Sequence, residues 1–277
     1  NKVWAKSPID HFILRQLEAA KLQPTKRAAA GAWLRRVTFG LTGLPPTAKE
    51  VAAFEKAALR NPDTAFRKLI DRLLASPRYG ERWGRHWLDV VRYSESTGGG
   101  RTLLMKEAWR YRDYVVNAFN ADKAYTDFIR EQIAGDIIPG GTIAQRRERL
   151  TATAFLLLGP TNYELQDKEL LRMEVVDEQI ETVGRAFLGM TLGCARCHDH
   201  KFDPVPTNDY YALAGIFRST DALYGTINGR GNRQPSDLHA IASNAANRAE
   251  KVRDHNDKLR KAKRRLTGMQ NQIKDLR

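Results

Sequence analysis

AAAGAWLRRVTFGLTGLPPTAKE, residues 28 to 50, holds one helix, its stop and the start of the next. Leu34, Val37, Phe39 and Leu41 recur at helical spacing, as an apolar helix face requires. Thr42-Gly43-Leu44-Pro45-Pro46 then breaks the run, because proline cannot continue the hydrogen-bond ladder. Thr47, followed three residues later by Glu50, is a capping-box start. The same period extends outward in both directions. Pro8 to Leu22 places Ile9, Phe12, Ile13 and Leu17 on one face. Downstream, helices are expected at 47–59, 63–75, 79–94, 107–120, 124–134 and near 144–158, with a further one from Lys168 to Leu188. Ser76-Pro77, Asp122-Lys123, Pro139-Gly140-Gly141 and Gly159-Pro160 separate them. No segment alternates with period two for long enough to make a strand, so the fold class is mainly α, an irregular multi-helix domain.

A chain of 277 residues with 42% apolar content can build a sizeable core. The longest apolar stretch, Ala152 to Gly159, is too short to span a bilayer, so no transmembrane segment is expected. The chain opens on Asn1 and ends inside a helical pattern at Arg277, which reads as a piece of a longer, exported precursor. The formal charge of +14 suggests nucleic acid until its location is counted. Residues 248 to 277 hold eleven Lys or Arg against four Asp or Glu, so half the net charge sits in one arm. Within it Ala245, Val252, Leu259, Leu266 and Ile273 fall at steps of seven, with Ala262, Met269 and Leu276 three residues after the later ones. Arg248 and His255 are the two poor positions of this seam. The expected organisation is a helical body, 1–242, followed by a basic coiled-coil-like helix, 243–277. Nucleic acid is not an expected partner; an anionic polysaccharide is a candidate one.

The chemistry is concentrated in Cys194-Ala195-Arg196-Cys197-His198, which carries the only two cysteines of the chain. Cysteines two residues apart followed at once by histidine are the pattern for covalent haem c attachment. Each thiol forms a thioether to one porphyrin vinyl group, and the adjacent imidazole coordinates the iron. A disulfide across so short a loop would be strained and would gain little entropically. Zinc is the alternative cofactor, using Cys194, Cys197, His198 and His200. It would normally need a second ligand pair far off in sequence, and there is no second cysteine pair. A thioredoxin-like site is disfavoured because no parallel β-α-β unit precedes Cys194. In bacteria haem is attached to such motifs outside the cytoplasmic membrane, which points to the periplasm or cell envelope.

Two further stretches bear on the site. YGERWGRHWLDVVRYS, residues 79 to 94, puts Trp83, Trp87 and Val90 on one helical face, with His86 among the tryptophans and Asp89 three residues on. His86 is the first candidate for the second axial iron ligand, although a lone histidine on an aromatic helix is more often a hydrogen-bonded packing residue. Met190 and Met173 are lesser candidates, and His200 could bind the haem edge. The charged run Asp199 to Asp203 could tune the iron or bind propionates, while Thr207 to Asp209 could equally cap a helix ending near Phe217.

PIDHFILRQLEAAKL, the FGLTGLPPT turn, LLASPRYGERWGRHWLDVVRYSES, AWRYRDYVVNAFNADKAY, FIREQIAGD and GCARCHDHKFDPVPTNDYYALAGIF occur here in that order. This series, over about residues 6 to 220, closely resembles the planctomycete-specific cytochrome-like domain family, the second domain type so named. The resemblance implies Cys194, Cys197 and His198 as haem-binding residues. It also implies an adjacent cytochrome c-like domain in a large exported protein. It supplies no reaction, and the segment from Gly98 to Lys106 looks less typical of it.

The function expected from these readings is electron transfer by an extracytoplasmic domain with one covalent haem, His198 and His86 being its iron ligands and a redox protein or adjacent cytochrome domain its partner. Two alternatives stand beside it. One is a haem- or metal-dependent oxidoreductase acting on envelope saccharides, with a pocket built from His86, Asp89, Arg92, His200 and Asp203. The other is a zinc-stabilised interaction module.

Overall fold

The computed structural model describes residues 4–100, 102–223, 260, 261, 263–267 and 269. The chain is mainly helical, and two isolated bridges, Ser96 with Leu104 and Gly98 with Thr161, are the only β pairings among the described residues. Contacts cluster into two compact units, Asn1–Arg82 and Trp83–Arg277, a finer division than the single 1–242 body expected from sequence. The 242/243 boundary lies outside the described residues, as do Ala245, Val252, Leu259, Ala262, Ile273 and Leu276 of the arm's seam. The described part of the arm is helical, with Leu266 and Met269 exposed.

The first unit contains α1 (Pro8–Ala19), α2 (Ala30–Thr42), α3 (Ala48–Arg60) and α4 (Pro62–Leu74). The expected capping box is present: the Glu50 backbone N–H donates to Thr47 Oγ1, and the Thr47 backbone N–H donates to the Glu50 carboxylate. Gly43 ends α2 in the left-handed conformation, which glycine adopts without a Cβ penalty. Leu34, Phe54, Leu69 and Leu73 form the core of α2, α3 and α4. Trp33 supports it, edge-on to Phe66 at 4.1 Å between ring centroids and stacked on Phe54 at 5.8 Å. The expected inward face of α1 is corrected: Leu14 is the buried residue, while Ile9, Phe12 and Ile13 are exposed. Helical periodicity locates an apolar stripe but not what covers it.

The second unit begins inside α5 (Pro77–Val90) and continues through α6 (Trp109–Asn120), α7 (Tyr125–Ala134), α8 (Ile143–Ala152), α9 (Lys168–Val183) and α10 (Thr207–Arg218). Its larger core joins Leu88 and Val91 to Tyr111, Tyr114 and Val115 of α6, Phe128 of α7, and Phe155. Trp87 closes it, donating its indole N–H to both Tyr111 Oη at 3.0 Å and Gln132 Oε1 at 2.9 Å. Around α7, Lys123 bridges Glu131 and Glu148, and Tyr114 donates to Glu131 at 2.9 Å. Each buried charge there therefore has a partner.

Three helix ends carry a non-glycine residue in the left-handed region: Lys21, Arg92 and Asp122. At each, the next residue's N–H reaches back five positions to a carbonyl, as Tyr93 does to Leu88 at 2.9 Å. This is the Schellman closure with a penalised residue at its pivot. Arg92 is held there by an ion pair with Glu178 and a hydrogen bond to Thr182 Oγ1 on α9. The helix expected over 79–94 therefore stops at Val90. Buried Thr97 then straps the following segment down. Its carbonyl accepts the Thr161 N–H at 2.8 Å, its N–H donates to Leu103 O at 3.0 Å, and its hydroxyl accepts the Leu103 N–H at 3.0 Å.

Candidate functional site

The chain reaches Cys194 through a π-turn, Gly184–Leu188, continuing directly from α9, and a left-handed Gly189. Gly193–Arg196 then forms a single 3-10 turn. Such a turn has about three residues per revolution, so Cys194 and Cys197 share one edge while Ala195 points elsewhere. Leu192 and Ala195 are buried against Val176, Ile180, Tyr210 and Ala214, and Cys194, Cys197 and His198 are all exposed. The small Ala195 lets the turn sit close on α9 and α10, with both thiols, unbridged, on the outside.

Carboxylates from α9 and from the motif fix the turn. Glu181 Oε2 accepts the backbone N–H groups of Leu192 at 2.9 Å and Gly193 at 3.0 Å, while its Oε1 accepts from Arg185 Nε at 2.7 Å. One turn earlier on α9, Asp177 faces Arg196 at 3.7 Å and accepts the Tyr210 hydroxyl of α10. Burial first, and the neighbouring Asp177 second, push the Tyr210 phenol well above its usual range. Tyr211 donates to the Arg196 carbonyl at 3.1 Å. The Asp199 carboxylate accepts the Thr207 N–H at 2.9 Å and so caps α10 from eight residues away. Asp177, Glu181, Tyr210 and Tyr211 carry no site role in the sequence reading, and Asp199 enters it only as part of the charged run Asp199 to Asp203. The one-turn spacing of Asp177 and Glu181, each following an apolar residue that α9 buries, Val176 and Ile180, is the signal that could have found the first two.

The two histidines of the motif region adopt opposite tautomers. His198 Nδ1 lies 2.8 Å from the Asp199 carbonyl oxygen. A carbonyl only accepts, so Nδ1 carries the hydrogen and Nε2 of the neutral ring keeps its lone pair. His200 Nδ1 instead accepts the N–H groups of Asp203 at 2.9 Å and Phe202 at 3.3 Å, which puts the ring hydrogen on Nε2. With its side chain only 6% exposed, His200 pins the loop after the motif. It does not turn a lone pair outward.

His86 is exposed, its ring 5.6 Å from Trp83 and edge-on. Asp89 does not orient it, because that carboxylate accepts from Arg85 Nε at 2.9 Å. Of the residues expected to build a pocket, His86, Asp89, Arg92, His200 and Asp203, Asp89 pairs with Arg85, Arg92 with Glu178 and His200 with Asp203. Met173 accepts from Arg218 at 3.4 Å, and Met190 packs against the smaller core. Among the described residues no three His, Cys, Asp or Glu side chains are grouped so as to hold a metal ion. None of the helices there is long and apolar enough to cross a membrane.

A mainly helical domain displaying a Cys-x-x-Cys-His turn on its surface is the class that fold and motif define. The family model PSCyt2, protein of unknown function (DUF1549), matches residues 8–222. The chain belongs to this family, a planctomycete-type domain family. No curated protein and no solved structure matches it.

Proposed function

We propose that this domain carries one covalent haem c at Cys194 and Cys197, with His198 as an axial iron ligand, and passes electrons within a larger exported protein of the periplasm or cell envelope. The observation that carries the reading is the 3-10 turn. It sets both thiols on one exposed edge, and the following imidazole has Nδ1 tied to a carbonyl and Nε2 free to ligate. These residues fit a haem because attachment needs two outward thiols and one outward nitrogen, not convergence on a point. A zinc site would need such convergence, and the tautomer of His200 withdraws the fourth donor. When bound, the haem supplies a one-electron iron couple. The protein's part is to present the sulfur atoms, orient His198 and back the turn with the Glu181 and Asp177 carboxylates.

The test is expression alongside a c-type maturation system, followed by intact mass and a pyridine haemochrome spectrum. The mass should rise by one haem, and Cys194→Ala with Cys197→Ala should abolish the rise. A bare-chain mass with stoichiometric zinc would overturn the reading. A five-coordinate spectrum with peroxide or substrate turnover would move the haem from electron transfer to catalysis.

A further inference from the structure

Resting on that reading, we infer that Asp199 is the positioning residue for His198, linking the orientation of its imidazole to the start of α10. One residue makes both connections. The Asp199 carbonyl oxygen receives His198 Nδ1 at 2.8 Å, and its carboxylate receives the Thr207 N–H at 2.9 Å. An exposed histidine on an irregular turn would otherwise sample several rotamers and both tautomers. Here the acceptor for its N–H cannot drift, because the residue that owns it is fastened to a helix. That helix is itself immobilised, with Tyr210 buried and hydrogen-bonded to Asp177 on α9 and Tyr211 donating to Arg196 inside the motif. The link therefore runs from α9 through α10 and Asp199 to the ring. A hydrogen bond from Nδ1 to a fixed carbonyl makes Nε2 a more basic donor, which favours the ferric state of a bound iron.

Three variants test it. Asp199→Ala removes the cap on α10. Asp199→Asn removes the charge but keeps an oxygen that can accept the Thr207 N–H. Thr207→Pro keeps Asp199 and deletes the N–H; proline suits the first position of a helix, and the extended backbone of Pro206 tolerates a following proline. In the haem-free protein, nitrogen NMR of the His198 ring should show the Nδ1–H tautomer in the wild type and in Asp199→Asn. That preference should be lost in Asp199→Ala and Thr207→Pro. In the haem-loaded protein the latter two should show a raised reduction potential and a shifted iron–histidine stretch, with Asp199→Asn near wild type. Retention of the tautomer in both tether-cutting variants would overturn the inference. So would an equal rise of potential in Asp199→Asn, since charge alone would then explain it. If the wild type takes up no haem yet the tautomer pattern holds, the haem reading fails and the positioning role stands.

Discussion

Tyr210 of α10 donates its phenolic hydrogen to Asp177 of α9 at 2.5 Å, directly behind the turn that carries the two cysteines. Arg196, inside that turn, faces the other oxygen of the same carboxylate at 3.7 Å. Two helices and the motif thus share one anionic centre.

Tyr210 should titrate late. Burial and the Asp177 charge raise its pKa, so its contribution to stability is complete below the unfolded phenol value of about 10. That contribution is lost as pH climbs through the raised folded value. Burial also raises Tyr93, to about 12, and it raises Tyr111 and Tyr114 further. A spectrophotometric titration of the native protein should therefore show late-ionising phenols from Tyr93, Tyr111, Tyr114 and Tyr210, and Tyr210→Phe should remove one of them. Ionisation of every tyrosine in one step near the ordinary value, with the fold intact by circular dichroism, would contradict this.

Gly184→Ala should destabilise the second unit by about 1–3 kcal/mol. A Cβ there would lie 2.7 Å from Leu192 Cγ and 2.9 Å from the Met190 carbonyl, and the backbone at Gly184 has ordinary right-handed angles, so crowding is the whole effect. Urea unfolding measures the loss. Faster amide exchange at Leu192 and Gly193 should accompany it, because displacing Leu192 loosens their hold on Glu181. An unchanged unfolding midpoint would mean that Leu192 yields without cost.

The buried triad of Trp87, Tyr111 and Gln132 should respond asymmetrically. Gln132→Leu leaves the Tyr111 hydroxyl hydrogen without its acceptor in a fully buried setting, at a cost of roughly 1–3 kcal/mol. Tyr111→Phe leaves the Trp87 indole still bonded to Gln132 and should cost about 1 kcal/mol. Thermal melts of the two variants give the order, and the reverse order would show that the hydroxyl, not the amide, anchors the group.

His200→Ala and His86→Ala should separate cleanly. Removing His200 strips the acceptor from two backbone N–H groups and should cost roughly 1–3 kcal/mol. Removing exposed His86 should change stability by no more than about 0.5 kcal/mol. In the haem-loaded protein, conversion from low to high spin on His86→Ala would assign His86 the distal iron position, and an unchanged spectrum would exclude it.

Most helix positions were legible because their signals are local. Thr47 with Glu50 marks the start of α3, and Gly43 marks the end of α2. Where structure departs from the reading, the decisive partner lies far off in sequence. Arg92 ends α5 without any glycine signal, because Glu178 and Thr182 hold it. The run expected over 144–158 tightens to a 3-10 turn at Thr153–Leu156. Thr207 looked like a cap, yet it is the capped residue, and Asp199 supplies the carboxylate. At the site, the spacing of Cys194, Cys197 and His198 was readable as chemistry. The tautomers of His198 and His200 were not, since they depend on which backbone groups the folded loop brings near.

The outward thiols also bear on how the protein must be handled. Cys194 and Cys197 stand unbridged at the surface, open to dissolved oxygen and to the thiols of neighbouring molecules. Without something to consume them, purified material should drift in air toward sulfenic acids and cross-linked dimers, and a non-reducing gel would follow that drift. For such a chain the order of events in its making matters: whatever caps these sulfur atoms must reach them before the oxidants do.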